Sequence, residues 1–106
     1  MPDFAERAAA FEGQFAHSEA LRFRIINRRN ALFGMWAAER MGLAGEAART
    51  YARAACDTWI ATADDSEIVM LTQADFFSAA VDTSRHRIER KLRELEEQAF
   101  THVMTA

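Results

Sequence analysis

The densest group of chemically capable side chains lies in LRFRIINRRN, residues 21–30, which carries Arg22, Arg24, Arg28 and Arg29. On a helix Arg22 and Arg29 share one face and Arg24 and Arg28 another, so their planar forks are placed to meet phosphate or carboxylate oxygens. The plainer alternative is a solvated helix face whose long stems cover the edges of a core. Both readings stay open, with Arg22, Arg28 and Arg29 as the candidate contacts to a nucleotide or an acidic partner.

Other reactive residue types are sparse. His17, His86 and His102 are scattered, and although His86 and Glu89 share a helical face, two potential ligands do not make a metal site. They read as surface or capping residues. Cys56 is the single cysteine, so it cannot form an internal disulfide, and its alanine-rich surroundings point to a buried, inert thiol. Trp36, Tyr51 and Trp59 recur at helical spacing and read as large core pieces rather than as a ligand cage. Gly42 and Gly45 lack the lysine and spacing of a phosphate-binding loop, and no nucleophile motif is present. The chain is not expected to be an enzyme or to hold a metal.

Whatever these side chains do, helices must position them. With 106 residues there is room for one domain plus tails, since two would each be too small to bury a core. Four glycines and one proline in an alanine-rich chain favour helix throughout. A net charge of -3 argues against a general nucleic-acid binder. No apolar run approaches the roughly 18 residues of a membrane span, and no export signal is evident, so a cytoplasmic location is expected.

Hydrophobic periodicity divides the chain. Leu21, Ile25, Leu32, Trp36 and Ala37 hold a stripe that Phe23, Ile26 and Phe33 widen, and Gly42 supplies a stop, predicting a helix over 18–41. Ala48, Tyr51, Ala52, Ala55 and Trp59 predict a second over 45–60. Ile68, Val69, Leu71, Phe76, Phe77 and Ala80 predict a third over 66–81. Asp82, Thr83 and Ser84 are capping types, and Ile88, Leu92, Leu95, Ala99 and Val103 predict a fourth over 84–103. On that last helix Glu89 and Arg93 form the well-oriented four-residue ion pair. Short polar connectors then favour a small antiparallel bundle spanning 18–106.

Residues 1–17 read differently. Phe4, Ala8, Phe11 and Phe15 fall on one helical face, but Gly13 costs about 1 kcal/mol relative to alanine and so short a helix is marginal alone. Such a segment can bury its phenylalanines only against something else.

The strings FEGQFAHSEALRF, RRNALFGMWAAERMGLAGEAARTYA and IERKLREL, in that order, resemble the ATPase inhibitor subunit zeta family of alphaproteobacterial F-type ATP synthases. The similarity covers nearly the whole chain. It implies an all-α four-helix bundle with a mobile N-terminal arm that becomes helical on inserting at an alpha/beta catalytic interface, beside the gamma stalk, and so blocks ATP hydrolysis. By that resemblance the arm is Phe4 to about Ala16, with Phe4, Arg7, Phe11, Glu12 and Phe15 as contacts. It further implies the alpha, beta and gamma subunits as partners, a position peripheral to the inner membrane when bound, and a monomer when free. Weak binding of ATP or ADP is permitted, and no resident cofactor is required. Gly13 and Gln14 depart from the family's more continuous arm, and Ile25 or Ile26, in IIN, is expected to mark an exposed contact surface. A nucleotide-sensing helical module and a helical adaptor without inhibitory function stay as the alternative readings.

Overall fold

The computed structural model describes residues 19–60 and 64–105. Four helices are formed: α1 over Glu19–Arg40, α2 over Gly45–Ile60, α3 over Asp65–Ser78 and α4 over Arg85–Thr105. They pack together as an all-α unit in which α1 lies against α2 and α4, while α3 lies mainly against α4. The expected arm, residues 1–17, lies outside the described residues.

Helix ends follow local chemistry. Gly42 takes φ 83°, which lets its N–H donate to Glu39 O and the Leu43 N–H to Ala38 O, closing α1 with a left-handed cap. The end of α3 has the same pattern: Ala80 N–H donates to Phe77 O and Val81 N–H to Phe76 O. Here the left-handed residue is Ala80, at φ 57°. That is why the third helix stops at Ser78 and not at the predicted 81: its terminator is an alanine, a residue type that reads as helix in sequence. At the start of α3, the Asp64 carboxylate accepts from the Ser66 N–H at 2.9 Å. Ser84 does the same for α4 through the Arg87 N–H at 3.2 Å.

The core is built from one face of each helix. Phe33, Ala37, Trp59, Ile68, Val69, Phe76, Ile88, Leu92 and Leu95 form the main cluster, with Trp36, Tyr51 and Cys56 packed partly buried against it. Rings meet at centroid distances of 5.4 Å for Phe33 and Trp36, 5.5 Å for Phe33 and Trp59, and 5.6 Å for the edge-on pair Trp36 and Phe76. Each such side chain, fully buried, contributes about 1.5–3 kcal/mol. A smaller cluster joins Ile25 to Ala99 and Phe100, pinning the start of α1 to the end of α4. With Arg29 paired to Glu96 as well, α1 and α4 run antiparallel.

Three positions depart from the sequence expectation. Ile25 is only 7 % exposed, so it is a core residue and not a contact surface. Phe23 is 57 % exposed, because two residues place it about 200° around the helix from Ile25. Phe77 is 87 % exposed for a similar reason: its neighbour Phe76 already occupies the inward face of α3. Gly34, in mid-helix, is explained by contact, since a Cβ there would stand 3.2 Å from both Cα and Cβ of Ala52 on α2.

Candidate functional site

The four arginines of α1 separate into two kinds. Arg29 is buried, at 2 % exposure, and its guanidinium sits at the meeting point of three helices. One terminal nitrogen donates to Asp65 Oδ1 at 3.0 Å and Oδ2 at 3.1 Å on α3, and to Glu96 Oε1 at 2.8 Å on α4. Its Nε and its other terminal nitrogen both donate to Oδ1 of the buried Asn30, at 3.1 and 3.0 Å. The positive charge is thus compensated within the protein, and Asp65 in turn lies in the first turn of α3, where the helix dipole favours a carboxylate. Arg29 has the geometry of a staple between α1, α3 and α4.

The remaining arginines stay at the surface. Arg22, Arg24 and Arg28 are exposed, and Arg28 Nε donates to His102 Nδ1 at 3.4 Å across to α4. That bond requires Nδ1 to be the unprotonated ring nitrogen. Arg28 and Arg29, adjacent in sequence, therefore point to different environments, as residues one apart on a helix must.

Beside Arg22 the surface opens into a shallow cleft of 370 Å³. One wall is the α1 face formed by Glu19, Phe23, Ile26, Asn27 and Asn30; the other is the end of α2 at Trp59 and Ile60. Phe23, Ile26, Asn27 and Asn30 follow the spacing of one helical face, a mixed apolar and polar strip that borders the core stripe and includes the buried Asn30. Periodicity places Phe23 and Ile26 at the edge of the core stripe, while the departure at IIN marks Ile25 or Ile26 as a contact surface; packing leaves Phe23 exposed and Ile26 half-buried in the cleft wall.

Elsewhere the chemistry is quiet. A second cleft of 440 Å³ between α3 and α4 is lined by Asp65, Glu89 and Glu96 against Arg85 and Arg93, charges of both signs in near balance. Glu89 pairs with Arg85 at 2.9 Å, not with Arg93, while Arg90 and Lys91 approach Glu94 at 3.7 and 3.5 Å. These are exposed pairs worth about 0–1 kcal/mol. The Cys56 thiol, half-buried, is raised in pKa by burial and by the charge of Asp57, which keeps it a poor nucleophile. The Tyr51 hydroxyl donates to Asp75 Oδ2 at 2.7 Å, linking α2 to α3. Among the described residues no group of three or more metal-ligating side chains forms, and no helix is long and apolar enough to cross a membrane.

Phe4, Arg7, Phe11, Glu12, Phe15 and His17 all lie outside the described residues. A family model for the ATPase inhibitor subunit zeta matches residues 1–102, a range that takes in both those positions and the four helices as far as His102. No curated protein and no solved structure matches the chain. Over nearly its whole length, then, the chain belongs to the ATPase inhibitor subunit zeta family.

Proposed function

We propose that this chain inhibits ATP hydrolysis by the F-type ATP synthase by placing residues 4–16 at an alpha/beta catalytic interface of the synthase head. Family membership itself carries the coarser part, a non-enzymatic regulator of that synthase. The observation that supports the finer part is that the family match begins at residue 1, so the phenylalanine-bearing segment belongs to the family pattern and is not an unrelated tail. Phe4, Arg7, Phe11, Glu12 and Phe15 are the contacts in this reading, and the four-helix unit stays outside the interface.

Physics makes the arrangement workable. Phe4, Phe11 and Phe15 together gain several kcal/mol if buried, at about 1.5–3 kcal/mol each, against an ordering cost of about 2–5 kcal/mol for a segment that folds on binding. Binding is then conditional on an open groove. A photo-cross-linking residue at position 11, in the full chain added to hydrolysing synthase, tests the placement. Adducts with the alpha or beta chains support it; adducts formed only from positions on α2 to α4 would reject it.

A nucleotide contact through Arg22, Arg28 or Arg29 is the second reading. Of the three, Arg22 and Arg28 are the exposed candidates, whereas Arg29 is occupied by Asp65, Glu96 and Asn30. Titration with ATP and ADP while following backbone amide shifts decides it, and absence of a saturable change near Arg22 and Arg28 would reject it.

A further inference from the structure

Helix α3 is apolar on two opposite sides. Ile68, Val69, Thr72 and Phe76 are buried in the bundle, yet on the far side Phe77 is 87 % and Met70 54 % exposed. Met70 and Phe77 are seven positions apart with the small, exposed Ala74 between them, so they form one ridge facing away from the core. A helix that is apolar all round belongs where it is covered all round, and none of the described elements covers this ridge.

Charge restricts what fits over it. Between Arg53 and Arg85 the chain has no lysine or arginine, and α3 carries Asp65, Glu67 and Asp75. Arg29 meets the charge of Asp65, but Asp75 accepts from the neutral Tyr51 hydroxyl, which does not cancel its charge, and Glu67 is exposed. Glu67 and Asp75, eight positions apart, fall along one edge of the ridge, with Asp64 one turn before Glu67. On the other edge Ser66 borders the α3–α4 cleft, where Asp65, Glu89 and Glu96 stand against Arg85 and Arg93, so no positive excess arises there. A second copy packed antiparallel on the same ridge sets acid against acid, and nucleic acid or an anionic membrane surface carries the same sign. What fits is an apolar strip on a protein, bordered by lysine or arginine.

Size restricts the partner further. α3 has 14 residues, so one face of it is about 21 Å long and about 10 Å wide. That is roughly 200 Å², against roughly 800 Å² per partner in a stable free-standing interface. So small a patch holds where another segment already keeps the chain beside its partner, because tethering raises the effective concentration into the millimolar range. The synthase head, engaged by residues 4–16, is such a partner.

We infer that the Met70–Phe77 ridge docks the four-helix unit on the outer surface of the synthase head, against an apolar strip bordered by lysine or arginine on the alpha or beta chain. This rests on the function proposed above. The ridge sets how tightly the chain is held, while residues 4–16 set whether hydrolysis stops.

Photo-cross-linking residues at position 77, at position 11 and, as a control, at the exposed position 98 of α4, each in the full chain mixed with purified synthase head, test the docking. Positions 77 and 11 should give adducts with the alpha or beta chains, and position 98 none. Met70→Ala with Phe77→Ala should need about tenfold more protein for half-suppression of hydrolysis and reach the same final suppression. Glu67→Lys should shift the titration the same way by several-fold. Superimposable titrations for the full chain and the double variant, adducts from position 98 in place of 77, or adducts from 77 only with a second copy of this chain overturn the inference. Adducts from position 11 and none from 77 reject the docking and leave the inhibitory placement standing; adducts from 77 and none from 11 do the reverse, and none from either rejects both.

Discussion

At the scale of single residues, adjacent positions have opposite duties. Phe76 is 1 % exposed and edge-on to Trp36, whereas Phe77 is 87 % exposed. Phe76→Ala should cost about 3–5 kcal/mol in chemical denaturation, and Phe77→Ala no more than about 0.5 kcal/mol. Equal costs would contradict the inward and outward assignment. Arg29 offers a sharper case, since its planar fork serves Asp65, Glu96 and Asn30 together. Lysine keeps the charge but not the fork, so Arg29→Lys should still destabilise, by about 1–3 kcal/mol. The sequence showed Arg29 as one of four arginines and could not single it out. Its carboxylate partners are 36 and 67 positions away, and no local pattern reports such distant groups.

Tyr51 gives a residue-scale prediction with a pH sign. Burial first, then the hydrogen bond to Asp75 and that carboxylate's charge, raise the phenol above its ordinary pKa of 10.0. The folded chain keeps a proton that the unfolded chain releases. The contribution is therefore fully present below about pH 10 and is lost as pH rises from there toward the folded value. Cys56 acts in the same direction from 9.0, so both arms of the comparison carry Cys56→Ala. In that background Tyr51→Phe should flatten the alkaline fall of stability, measured by urea unfolding between pH 8 and pH 11. A fall of unchanged slope would remove Tyr51 as its cause.

At the scale of elements, the helices were legible because core spacing and capping chemistry agree. The second helix, predicted over 45–60, is Gly45–Ile60, and the others begin within one residue of expectation. The miss at the end of α3 has a physical origin: Ala80 holds a left-handed conformation that glycine adopts at no steric cost, and alanine in sequence signals nothing of the kind. Ala80→Gly should accordingly stabilise the protein by up to about 1 kcal/mol, the relief of left-handed strain less the added chain entropy of glycine. Loss of stability would show that the cap tolerates alanine without strain. Between elements, the α1 and α2 backbones approach closely at Gly34 and Ala52. Gly34→Val should force them apart at a cost of about 1–3 kcal/mol, while a neutral effect would mean that the helices separate freely.

At the scale of the whole molecule, what was legible is the bundle and the family, and what was not is the outward face. Periodicity names the residues that pack, but it does not say which of two ridges on α1 meets a neighbour; Phe23 and Ile26 became a cleft wall only once α2 was laid beside them. The buried charge of Arg29 is likewise consumed in holding helices together, while the family match extends over the phenylalanine-bearing residues before Glu19. The most direct measurement is ATP hydrolysis by the matching F-type synthase, titrated with the full chain and with its Phe11→Asp variant. The full chain should suppress hydrolysis, and Phe11→Asp should need at least about tenfold more protein for the same effect, the equivalent of one lost buried phenylalanine. Superimposable titrations, or no suppression by either chain, would contradict inhibition through the N-terminal segment.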